Sequence, residues 1–176
     1  MLALALPAWA AEVAGVRIDD KTRVANADLA LTGAGVRKRL FFEVYAIGLY
    51  VRDAKADAIA QTGPKRVSIH MLRDVGADQF SEALAEGMRA NHPEAEYKAL
   101  EARVKELSSV MAELKEARKG MAIALDWNGK ETQVVVDGKP VGKPIAGEDF
   151  YRALLRIWLG EKPVQDDLKK ALLGGR

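Results

Sequence analysis

An α+β architecture, a large antiparallel sheet carrying a layer of helices on one face, is predicted by three features of this chain. Strand-like alternation fills residues 14–51, 65–72 and 121–143, and amphipathic helical periodicity fills residues 77–114 and 147–159. Two dipeptides, Asn128-Gly129 and Asp137-Gly138, are strong signals for tight hairpins between adjacent antiparallel strands. Antiparallel runs interrupted by blocks of helix bury their apolar faces by stacking one layer on the other.

Taken in order, residues 14–18 and 22–31 read as two strands of a hairpin, joined by the turn-like Asp19-Asp20-Lys21. They lead into the stretch that organises the domain, LALTGAGVRKRLFFEVYAIGLYVRD at residues 29–53. From Leu40 onward both alternating sets are apolar: Leu40, Phe42, Val44, Ala46, Gly48 and Tyr50 on one side, Phe41, Tyr45, Ile47, Leu49 and Val51 on the other. Only Glu43 breaks the pattern. A strand with two apolar faces is a central one, covered on both sides by packing or by a ligand cavity. Gly33 and Gly35 fit a bulge, a turn or a close backbone approach just before Arg37, Lys38 and Arg39.

Residues 53–61 form an alanine-rich helical piece that Thr62-Gly63-Pro64 stops. Residues 65–72 alternate Val67, Ile69 and Met71 against Ser68, His70 and Leu72, a half-buried strand. The first long helix carries Ala77, Phe80, Leu84, Gly87 and Met88 as its stripe and closes at Asn91-His92-Pro93; the second carries Leu100, Val104, Leu107, Met111 and Leu114. Residues 121–126, 131–136 and 139–143 make an antiparallel meander. A helix over 147–159, with Gly160 at its C-cap position, precedes a last short helix over 163–173.

The composition, 49% apolar and 30% charged over 176 residues, is that of one globular domain. A net charge of +2 offers no basic stripe for nucleic acid. With no cysteine and 2 histidines, neither a disulfide framework nor a thiolate or metal centre is expected, and nothing calls for a cofactor. Residues 1–10, ending in Ala8-Trp9-Ala10, read as the remnant of a secretory signal cleaved after Ala10, leaving residues 11–176 as the single domain. No later run is long and apolar enough to span a membrane, so stable membrane insertion is not expected and the address is periplasmic or secreted.

The pattern GAGVRKRLFFEVYAIGLYV, a strand ending HMLRDV, a helix beginning ADQFSEAL and the tail FYRALLRIWLGEKPVQDDLKKALLG together resemble the chalcone isomerase-like family, in particular its bacterial members, over residues 13–173. The resemblance implies a curved sheet in an open-faced sandwich with a ligand cleft between sheet and helices. The family includes isomerases, fatty-acid-binding relatives and members without catalytic activity, so fold alone does not fix function.

By resemblance, Arg37 holds the anionic or oxyanionic end of a ligand and Tyr45 supplies a hydroxyl beside it. A planar fork of donors grips a carboxylate in bidentate fashion, and a phenol adds a further bond. Eight residues of straight strand span about 26 Å, so the two can share a ligand only if the chain reverses between them, and residues 38–40 are the expected place. In the family's isomerases a tyrosine and, seven residues later, an asparagine enter the active site, where this chain has Phe80 and Gly87. The near-terminal helix, which contributes a hydroxyl in isomerases, offers Ile157 and Trp158. Phe80, Met88 and Trp158 are accordingly assigned to an apolar pocket wall, with methionine the adaptable filler. His70 is read as a packed strand residue. The expectation is an exported binder of a fatty acid or similar amphiphilic carboxylate. The alternatives are an isomerase-type intramolecular lyase using Arg37 for its oxyanion, and an envelope protein-interaction module.

Overall fold

In the computed structural model, which describes residues 10–175, the chain opens with a small hairpin of β1 (Ala11–Val13) and β2 (Val16–Ile18). β3 (Lys21–Val24), β4 (Ala27–Arg39), β5 (Phe42–Val51) and β6 (Lys65–Met71) follow. A short pair, β7 (Val75–Gly76) with β8 (Glu116–Ala117), brackets the helices α1 (Ala77–Ala90) and α2 (Glu94–Glu113). The meander β9 (Ala122–Trp127), β10 (Glu131–Val136) and β11 (Lys139–Ala146) then leads to α3 (Glu148–Leu159) and α4 (Asp166–Leu172). Seven strands form one curled antiparallel sheet in the order β11-β10-β9-β6-β5-β4-β3.

The pleat sorts the strands' side chains into two cores. Ile47, Leu49 and Val51 of β5, with Val67 and Ile69 of β6 and Ile123 and Leu125 of β9, face the helices, where Leu84, Met88, Leu107, Met111 and Phe150 meet them. On the opposite side of β5, Ala46 and Tyr50 pack with Ile18, Val24 and Leu29 under the β1–β2 hairpin. From Ala46 to Val51 the central strand is covered on both faces, as its double apolar pattern requires; Leu40 to Glu43, expected to be covered as well, are exposed because they form the tip of the β4–β5 hairpin.

A bulge between Leu31 and Gly33 turns Gly33, Gly35 and Arg37 toward the helix side, opposite Leu49, Ile47 and Tyr45. The two glycines then admit α4. A Cβ on Gly33 would fall on the carbonyl oxygen of Ala171, and one on Gly35 would sit 2.7 Å from Leu168 Cδ1. The outer edge of β4 beyond its pairing with β3 is closed by one side chain. Gln165 Nε2 donates to the Val36 carbonyl at 3.0 Å and Gln165 Oε1 accepts from the Lys38 amide at 2.8 Å.

Four expectations need correction. Residues 22–31 are not one strand, because Ala25 and Asn26 adopt left-handed φ of 47° and 66° and make the turn between β3 and β4. Residues 14–18 consequently do not pair with 22–31; β2 folds back on β1. Residues 53–61 are successive turns, because Asp53 Oδ1 accepts from the Lys55 amide while Asp57 Oδ1 accepts from the Ile59 and Ala60 amides, local bonds that compete with a helix. The last helix begins at Asp166 rather than 163, since Gln165 is held extended with its side chain spent on β4. The segment read as a signal lies, apart from Ala10, outside the described residues.

Candidate functional site

The reversal between Arg37 and Tyr45 is a two-residue turn, Leu40-Phe41, so that Arg37 stands directly opposite Tyr45 in the β4–β5 register. Facing residues of antiparallel strands have Cα atoms about 5 Å apart, which replaces the 26 Å of a straight chain. A second bulge, between Arg37 and Lys38, breaks the ladder there. The outer half of the hairpin, α1 and α3 enclose a cleft of about 580 Å³. Its wall is apolar, formed by Val44, Val75, Phe80, Leu84, Ile157 and Trp158, and its mouth carries Arg39, Arg73, Asp74 and Glu86.

Two polar groups reach that apolar wall. Trp158 Nε1 donates to Tyr45 Oη at 3.0 Å. An indole nitrogen can only donate, so the phenol oxygen is the acceptor and its own hydrogen remains available to a ligand oxygen. Burial pushes the Tyr45 pKa up, against the opposing pull of the Trp158 bond and of the Arg37 charge. Tyr45 is thus a neutral donor at physiological pH. Arg37 Nη1 donates to the Lys38 carbonyl at 2.6 Å, the Val164 carbonyl at 3.3 Å and Gln165 Oε1 at 3.4 Å. Its Nε and Nη2 make no hydrogen bond to the described residues. The guanidinium is therefore fixed by one nitrogen and offers the rest of its fork to the cleft, where a carboxylate or an oxyanion could accept.

A model of the family described as chalcone isomerase-like matches residues 10–174. The chain belongs to the chalcone isomerase-like family. Among solved structures, the crystal structure of a fatty-acid binding protein from Arabidopsis thaliana superposes with a TM-score of 0.71 at 14% identity, covering 92% of this chain and 93% of that one. The likeness establishes the fold. No curated protein matches the chain.

In this chalcone isomerase-like chain, Phe80 and Trp158 both line the cleft with Arg37 and Tyr45. Met88 does not. It lies one helical turn beyond Leu84, wholly buried in the core between the sheet and the helices, and its assignment to the pocket wall is corrected. Gly87, where the isomerases place asparagine, lines the cleft; a Cβ there would come within 2.8 Å of Ile157 Cγ2. The wall at that point is closed by the isoleucine, leaving no room for an amide. His70 sits on the other face of the sheet, 3.1 Å from Ser68 Oγ, with its pKa pushed down by burial. His92 Nδ1 lies 2.7 Å from the Met88 carbonyl at the end of α1. Neither histidine lines the cleft, and no group of three or more metal-ligating side chains occurs among the described residues.

Sequence reasoning missed Gln165, which both fixes Arg37 and closes the β4 edge. No local signal could find it, since 128 residues separate the pair. Arg73 was also missed. Its guanidinium stacks over the Phe42 ring at 4.2 Å from the centroid, and the HMLRDV segment that carries it was legible as a strand end.

Proposed function

We propose that the protein binds a fatty acid or a closely similar amphiphilic carboxylate in this cleft. The carboxylate sits between the Nε and Nη2 donors of Arg37 and the hydroxyl of Tyr45, and the alkyl tail lies against Phe80, Leu84 and Ile157. The observation that carries the reading is the convergence of one half-engaged guanidinium and one unspent phenol hydrogen on the apolar wall of a cleft of about 580 Å³, inside a mouth of charged side chains. Burying a methylene is worth about 0.8 kcal/mol, so the tail supplies affinity and the head fixes orientation. The fatty-acid binding protein of like fold supports this choice of ligand class. Against the isomerase alternative stand Phe80 and Gly87, which provide no polar group where a phenolic substrate would need one, and unpaired polar groups cost about 1–3 kcal/mol each.

Calorimetry with a long-chain acid and its methyl ester tests the reading. A hydrogen bond to a charged group contributes about 1.5–3 kcal/mol, so Arg37→Ala should weaken acid binding roughly ten- to a hundredfold. The ester should lose a similar factor on the wild type and little more on the variant, because both changes remove one interaction. Equal binding of acid and ester to the wild type, or no binding of either, would sink the carboxylate reading. Turnover of a hydroxychalcone above the buffer blank that disappears in Arg37→Ala would establish the enzyme instead. We also propose export to a periplasmic or extracellular compartment, on the strength of Ala8-Trp9-Ala10. N-terminal sequencing of protein made from its natural gene should find Ala11 first; cytoplasmic protein retaining the segment would refute this.

A further inference from the structure

The turn joining β4 to β5 holds the exposed large apolar side chains of the described residues. Leu40 is 85% exposed, Phe41 98% and Phe42 54%. Leu40 also adopts φ of 54°, at the first central position of a two-residue hairpin loop, a position that ordinarily takes glycine when φ is positive. A leucine in the left-handed region is strained, and two solvent-exposed apolar side chains gain nothing from burial. The tip thus works against local folding preference twice, the signature of a surface kept for something other than stability.

Cations surround it. Lys38 and Arg39 are exposed on the strand that enters the turn, Arg73 stacks on Phe42, and Lys119 lines the shallow groove beside Phe41. The carboxylates nearby are Glu43, which faces Lys38 in the register, Asp74, which accepts from the Lys119 amide at 2.8 Å, and Glu86 at the cleft's mouth, three against the four cations.

We propose that this hairpin tip is a docking element for an anionic lipid surface, with Leu40 and Phe41 entering the acyl boundary and Lys38, Arg39, Arg73 and Lys119 at headgroup level. A convex two-residue projection presents little area compared with the roughly 800 Å² per side of a stable protein interface. Apolar side chains ringed by cations match the bilayer interface, where both kinds of group are satisfied at once. No helix of the described residues is long and apolar enough to cross a membrane, so attachment through the tip is peripheral and reversible. Arg39, Leu40, Phe42 and Arg73 also border the cleft, so docking lays the cleft's mouth on the membrane. The docking reading can be tested apart from the ligand reading at Phe41, Lys38 and Lys119, which do not line the cleft.

The test is co-sedimentation of the whole chain, without added ligand, with phosphatidylcholine vesicles and with mixed phosphatidylcholine–phosphatidylglycerol vesicles. Phe41→Ser should lower partition to the mixed vesicles tenfold or more, by the loss of one buried aromatic side chain. Lys38→Ala and Lys119→Ala should each lower it by about fivefold at low salt, and pure phosphatidylcholine should bind far more weakly. Phe41→Trp should keep binding, and its emission should be quenched by lipids brominated on their acyl chains. Long-chain acid binding in the absence of vesicles should be unchanged in Phe41→Ser, which separates failure of docking from failure of the cleft reading. Partition that is the same for Phe41→Ser and wild type, or for neutral and anionic vesicles, would overturn the proposal. So would Phe41→Trp emission blind to brominated chains, or a Phe41→Ser change seen only in self-association without vesicles.

Discussion

Arg66 and Arg37 lie on strands separated by β5, one on each face of the same sheet, and differ in how much of the guanidinium is spent. Arg66 Nε and Nη2 each donate to a carboxylate oxygen of Asp126 at 2.6 Å, and its Nη1 donates to Thr22 Oγ1 at 2.7 Å. All three nitrogens have partners, and the bond to Asp126 raises its pKa further. Arg37 spends Nη1 alone, on two backbone carbonyls and one amide oxygen, and turns toward a cleft. A closed pair of this kind holds β6 to β9 and to β3; a half-open fork keeps donors free for a ligand. Counting satisfied donors separates the two roles where burial does not, since each arginine is half-buried.

The largest effect that would sharpen this contrast comes from α4, which supports Arg37 and has no part in holding Arg66. Gly33→Ala places a methyl on the Ala171 carbonyl oxygen, so α4 must shift, at about 3 kcal/mol or more. Chemical denaturation should show that loss. Binding of a long-chain acid should fall with it, because Val164 and Gln165, the anchors of Arg37, precede α4 directly. Unchanged stability would mean that the glycines are not what admits the helix.

Next in size is the arginine comparison itself. Asp126→Ala strands a mostly buried guanidinium, at about 3 kcal/mol, with no change expected in acid binding. Arg37→Ala should cost stability about 1 kcal/mol or less while removing most of the preference for acid over ester. The comparison breaks if the two variants lose stability equally, for then Arg37 is structural as well.

The fold was legible where the rule is local and strict. Double-sided alternation called for cover on both faces and found it over Ala46–Val51, though not at the exposed residues 40–43, and strand arithmetic required a reversal between Arg37 and Tyr45 if the two were to share a ligand. The turn falls at Leu40-Phe41, sharing only Leu40 with the expected span; the Arg37–Tyr45 pairing sets it there, with Val44 left over in a bulge of β5. What failed was depth and distance. Periodicity places Met88 on the same face as Phe80 and Leu84 but cannot say that at its turn the cleft is lined by Gly87 while Met88 is buried in the core. Alanine content suggested a helix at 53–61, where two aspartate side chains capture the amides instead. Gln165 finds Arg37 only through tertiary folding.

The tyrosines of β5 extend the contrast to pH. Tyr50 Oη donates to the Asp19 carbonyl at 2.7 Å on the outer face, and burial, with smaller contributions from Asp19 and Asp20, pushes its pKa up to about 12. The unfolded chain ionises near 10, so the contribution is complete below that pH and is lost as pH rises through about 12. Denaturation midpoints should fall over this window, and Tyr50→Phe should flatten the fall. Tyr45, raised by burial on the cleft side, adds to the same slope. A midpoint independent of pH across the window would show that neither phenol is held neutral by the fold.

The smallest effect is at the tip of the same hairpin, and its base is the control. Leu49 is buried near its base, and Leu49→Ala should cost about 2–5 kcal/mol by emptying core volume. Leu40, at the tip, has almost nothing to lose. Leu40→Gly removes a side chain that is 85% exposed and relieves a left-handed φ of 54°, a gain of about 1 kcal/mol. The added freedom of glycine in the unfolded chain offsets about 0.5–1 kcal/mol of this. Net stability should therefore stay within about 0.5 kcal/mol of wild type, or rise slightly, while partition to anionic vesicles drops. A loss above 1 kcal/mol would show that Leu40 packs against something in the folded protein, and the tip would then be part of the core's support rather than a free surface.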